Sequence, residues 1–112
     1  MASTPYPAHL NGACSPQLRE EVAFFQQWGY LVVDDALTSE QVDALRTALD
    51  ATFAQSDEQF IHQLLECDEA FAFLLDNPPV FSRMKAILGE CVQLHSATAR
   101  VTLPGEKDQN WH

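Results

Sequence analysis

The longest stretch of strand-like alternation in this chain comes late. Up to Gly89 the apolar residues recur mainly at helical spacing, apart from a short strand-like run at Tyr30 to Val33. From Cys91 to Leu103 they alternate: Cys91, Gln93, His95, Ala97, Ala99, Val101 and Leu103 face one way, and Val92, Leu94, Ser96, Thr98, Arg100 and Thr102 the other. A strand with apolar residues on both faces cannot bury both alone, so it needs further strands or another chain beside it. Several helices followed by strand at one edge form an α+β pattern with more sheet-covering helix than sheet.

The helical part divides at recognisable signals. Ser15 and Pro16 open a helix that runs to Trp28, because Ser caps free N–H groups and Pro lacks the N–H that would otherwise be stranded. Leu18, Val22 and Phe25 line one face, and Gly29 ends the helix. Tyr30 to Val33, rich in β-branched and aromatic residues, reads as a strand closed by Asp34 and Asp35. Thr38 with Gln41 forms a capping-box pattern, and Val42, Leu45, Leu49 and Phe53 make the apolar stripe of a second helix that stops near Gln55 and Ser56.

From Asp57 to Asp76 the pattern is helical again, with Phe60, Leu64, Phe71 and Leu75 apolar and a break at Cys67 and Asp68. Asn77, Pro78 and Pro79 open a short helix that packs through Val80, Met84, Ile87 and Leu88 and ends at Gly89. After the long alternating segment, Pro104 and Gly105 form a turn, Glu106 to Asn110 a polar loop, and Trp111 with His112 the entrance to another strand. Residues 1–15 read as a flexible tail, which leaves 16–112 as part of one domain.

Charge narrows the function classes. Sixteen acidic residues against six scattered basic ones give a net charge of −10, which repels nucleic-acid phosphates and anionic lipid. Neither partner is expected. The three cysteines, Cys14, Cys67 and Cys91, form no CxxC pair and no dense disulfide pattern, which fits a reducing cytoplasm. The longest apolar run, Ala70 to Leu75, is far shorter than the about 20 residues that cross a bilayer.

Two segments resemble a known family. FQQWGYLVVDDAL from Phe25 to Leu37, followed by TSEQVDALRTAL, is similar to the opening of phytanoyl-CoA dioxygenase-like proteins, iron(II)/2-oxoglutarate oxygenases. ILGECVQLHSATARVTLPGEKDQNWH resembles the same family's "LG" helix end, long strand, "PG" turn and "Q-x-W-H-x-D" entry to the metal motif. Together the two pieces span nearly everything after the tail. The resemblance implies an amino-terminal fragment of a double-stranded β-helix (jelly-roll or cupin-like) oxygenase with its barrel incomplete. The parent would be an oxidoreductase that hydroxylates a small-molecule substrate with Fe(II) and 2-oxoglutarate as cofactors.

Carried over by position, the resemblance makes His112 the first iron ligand and Gln109 a contact to 2-oxoglutarate. Such a site uses two His and one carboxylate on one face of the metal, leaving positions for the keto acid and dioxygen. The carboxylate two positions on, the distal His and the basic partner of the keto acid are not in this sequence, so tight cofactor binding by this chain alone is not expected.

Each candidate also has a plain reading. Gln109 is equally a solvated loop residue, and Trp111 reads as a core aromatic. His95 is a hydrogen-bonded strand histidine or a cavity residue, Arg100 an ion-pair partner or an anion contact, and His62 a solvated helix residue. Glu20 with Glu21 and Asp34 with Asp35 are adjacent pairs that do not converge as acid and base. The rival to the oxygenase reading is a stand-alone acidic helical interaction module, and either reading leaves open strand edges through which the chain would self-associate.

Overall fold

The computed structural model describes residues 15–111, arranged as two compact units: 15–38 with 73–94, and 39–72 with 95–111. The sequence-based tail over 1–15 therefore lies outside the described residues except for Ser15.

In the first unit, α1 (Pro16–Trp28) begins and ends where its local chemistry places it. Ser15 sits in extended geometry and its Oγ accepts from the Leu18 N–H at 3.2 Å, with Pro16 in the first turn. Gly29, at φ 80°, takes the left-handed conformation and donates its N–H to the Phe25 carbonyl at 2.7 Å. The second helix of this unit, α4 (Pro78–Leu88), packs on α1. Buried Val22 and Ala86 meet at the centre of that contact, flanked by Leu18 and Ile87.

The packed face of α4 differs from expectation. Val80, Met84 and Leu88 are exposed, and the residues turned to α1 are Arg83, Ala86 and Ile87. The reason lies across the contact: α1 presents Glu21 beside Val22, so a guanidinium next to a small apolar residue fits better than a wholly apolar stripe. Asn77 is likewise not a side-chain cap. It is 6% exposed, and its Nδ2 donates to the Ala36 carbonyl at 3.0 Å, while its own carbonyl accepts the Phe81 N–H at 2.8 Å.

Residues 30–33 form no strand. Their composition suits one, but no partner strand pairs with them among the described residues, and a strand is defined by its ladder. They run without regular structure from Gly29 to a turn at Asp34 and Asp35, where Asp35 has φ 52°.

In the second unit, α2 (Ser39–Ala54) starts directly after Thr38 and supplies Leu45, Ala48 and Leu49 to a core around buried Leu64 and Phe71. Ala48, outside the expected stripe, is the buried residue of this helix, and Val42 stays exposed. The expected helix over 57–76 resolves into three pieces: β1 (Phe60–Ile61), α3 (Leu64–Cys67) and a 3-10 helix (Glu69–Leu75) whose last three residues belong to the first unit. The break at Cys67 and Asp68 is present, with Asp68 extended between α3 and the 3-10 helix.

Phe60 and Ile61 are strand because β2 (Ala99–Arg100) pairs with them antiparallel, Phe60 opposite Arg100 and Ile61 opposite Ala99. Two flanking bonds extend the contact, Val101 N–H to the Gln59 carbonyl at 2.9 Å and Leu64 N–H to the Ala97 carbonyl at 3.1 Å. The expected strand over 91–103 is thus regular only at its centre. Alternation is nevertheless visible from 97 to 102: Ala97, Ala99 and Val101 are half-buried, whereas Thr98, Arg100 and Thr102 are exposed. Ala97 and Ala99 turn to the Phe71 core with Ile61. The expected arrangement of a double-stranded β-helix rests on the resemblance; the sheet among the described residues has two short strands.

Candidate functional site

The candidate site is the carboxy-terminal segment of the second unit. β2 leads into Val101 to Leu103 and then a reverse turn with Pro104 and Gly105 at its centre. Gly105 has φ 85°, a conformation that a Cβ disfavours, and the Glu106 N–H closes the turn on the Leu103 carbonyl at 3.2 Å. The Glu106 carboxylate folds back to accept the Leu103 N–H at 3.0 Å. This double tie fixes where the following loop leaves the sheet.

Beyond it, Asp108, Gln109, Asn110 and Trp111 line an open hollow of about 370 Å³. Gln109 is exposed there, its amide free to offer both donor and acceptor. Trp111 is fully exposed, so the expectation of a core aromatic is corrected: nothing among the described residues covers its ring. His112 lies outside the described residues.

His62, His95 and Arg100 do not line this hollow. His95 is exposed before β2, with Nδ1 3.3 Å from Ser96 Oγ. Arg100 is exposed in β2, opposite Phe60. His62, just past β1 and not in a helix, has its ring centroid 4.5 Å from that of Phe60, the two rings tilted by 54°. Residues directly opposite in an antiparallel pair share a face, and so do residues two apart, which places Phe60, His62 and Arg100 on the side away from the Phe71 core. That grouping was not visible in the sequence, because it depends on the register between 60–61 and 99–100.

Retaining iron needs several converging ligands. Among the described residues no group of three or more His, Cys, Asp or Glu side chains is placed to hold a metal ion, so these residues do not by themselves fit iron. What the loop offers chemically is neutral hydrogen bonding from Gln109 beside an aromatic ring. Among the described residues no helix is long and apolar enough to cross a membrane. No family model, no curated protein and no solved structure matches the chain.

Proposed function

We propose that the chain is the amino-terminal part of an Fe(II)/2-oxoglutarate-dependent oxygenase similar to phytanoyl-CoA dioxygenases. The observation that carries the reading is one succession of residues: the alternating segment from Cys91, the Pro104-Gly105 turn, then Gln109, Trp111 and His112 at the spacing of the family's entry to its metal motif. In this reading His112 contributes one ligand to an iron whose other ligands come from further sequence, and Gln109 donates its amide to a keto-acid carboxylate without adding charge. The group, when bound, supplies the oxidising chemistry; the residues of this chain position one edge of it. The coding sequence downstream of His112 tests this. An Asp or Glu two positions on, and later a His followed by Arg or Lys, is the expected finding; absence of both overturns the enzymatic parentage.

A second reading, an acidic helical interaction module, is favoured by a different observation. Phe24, Trp28 and Tyr30 form an exposed aromatic surface, with Phe24 set edge-on to Tyr30 at 5.3 Å and tilted against Trp28 at 6.4 Å. Exposed aromatic clusters of this kind mark binding surfaces.

A further inference from the structure

Residues 30–33 have the composition and the side-chain alternation of a strand but no ladder. Tyr30 and Val32 are 57% and 71% exposed, whereas Leu31 and Val33 are half-buried, which is period two. None of the four backbone N–H or C=O groups hydrogen-bonds to another described residue. Four consecutive unpaired residues of this composition are an open edge.

Beside this edge, Phe24, Tyr30, Leu31 and Val32 line a groove of about 490 Å³ together with Glu20 and Glu21. Glu21 is neutralised by Arg83. Glu20, Asp34 and Asp35 form no ion pair among the described residues; Glu20 lines the groove, and the two aspartates follow Val33 directly in the chain. A second copy of the chain would bring the same carboxylates against these, with −10 on each partner. Charge complementarity points instead to a cationic occupant.

We propose that residues 30–33 receive, by strand addition, an extended peptide segment that alternates apolar side chains and is flanked by Lys or Arg. Main-chain bonds to Leu31 and Val33 would supply the ladder, the Phe24 and Tyr30 rings the apolar contact, and Glu20, Asp34 and Asp35 the selection for basic flanks. The inference rests on the interaction-module reading, deepens it, and does not depend on iron.

The test uses the whole chain and a synthetic peptide of alternating Val and Thr flanked by Lys, with Glu-flanked and Pro-interrupted versions. Calorimetry reads affinity and amide exchange reads the edge. The Lys-flanked peptide at about tenfold over its Kd should slow exchange at Leu31, Val32 or Val33 by about tenfold. The Glu-flanked peptide should bind at least about fivefold more weakly, and the Pro-interrupted one should give no protection. Reversing charge with Glu20→Lys and Asp34→Lys should exchange the preference; both residues are exposed, so the α1–α4 packing is left in place. Equal binding of both charged peptides, no protection at residues 31–33, or protection that grows with protein concentration without peptide would each overturn the proposal; the last would make the occupant a second copy. Loss of peptide binding with the downstream iron motif present removes this inference and the module reading alone.

Discussion

Arg83 grips Glu21 with two nitrogens, Nε 2.6 Å from Oε2 and Nη2 3.1 Å from Oε1, while its Nη1 donates to the Pro79 carbonyl at 2.6 Å. The two side chains are 23% and 20% exposed, so the pair lies between a solvated surface bridge and a buried one. The fork ties α1 to α4 at the edge of the Val22–Ala86 contact. Arg83→Ala should therefore weaken the unit by about 1–2 kcal/mol, above an exposed pair and below a buried one. Lys at this position keeps the charge and loses the fork, so Arg83→Lys should recover less than half of the loss. Amide exchange in α1 reads both; exchange unchanged in Arg83→Ala would show that the pair contributes nothing.

Asn77 offers a sharper electrostatic test. Its amide donates to the Ala36 carbonyl from a nearly buried position. Asn77→Asp puts a carboxylate against that carbonyl, two acceptors facing one another with little water. Charging this group in the folded state is unfavourable, so its folded pKa should lie above the unfolded value of about 3.9. A raised pKa means that the variant loses stability as pH rises through the folded value and regains it below the unfolded one, where the protonated acid can donate. Urea melts of Asn77→Asp and the parent should converge near pH 3 and separate at pH 7; a gap that is constant with pH would show that the position is not electrostatically sensitive.

Phe71 is wholly buried and centres the second unit among Ala48, Leu64 and Ile61. Phe71→Ala should cost about 3–5 kcal/mol, a large share of the 5–15 kcal/mol that stabilises an ordinary domain. Loss of exchange protection in α2 is the expected result. Protection equal to the parent would mean that the core does not depend on this ring.

Local rules made much of this chain legible in advance. Ser15, Pro16 and Gly29 set the ends of α1 through bonds within one turn, and Pro104 with Gly105 set the turn in the same way. The alternation at Ala97 and Ala99 was readable because those residues face a core. Residues 60–61 were not, since Phe60 and Leu64 also fit a helical spacing and only pairing with Arg100 and Ala99 makes the segment a strand. Residues 30–33 fail for the converse reason: strand propensity is local, but a ladder requires a partner. Asn77 carries the residue type of a cap while its side chain is spent on a contact 41 positions away. Of the candidate site, Gln109 and Trp111 share one hollow, and His112 lies outside the described residues.

Gly29 provides a local control on the helix end. Its φ of 80° is unfavourable for a residue with Cβ, although no atom lies where that Cβ would go. Gly29→Ala should destabilise α1 by about 1 kcal/mol through backbone conformation alone, and Gly29→Asn by less, because Asn tolerates the left-handed region. Helix content by circular dichroism together with exchange at the end of α1 checks the order; Ala equal to Gly would contradict it.

The most direct measurement is an anaerobic titration of Fe(II) and 2-oxoglutarate into the protein expressed with all the sequence encoded after His112, read by visible absorption. The expected result is a charge-transfer band that requires both additions, disappears in His112→Ala, and needs more keto acid to saturate in Gln109→Ala. Absence of the band, or a band of full strength in His112→Ala, would contradict it.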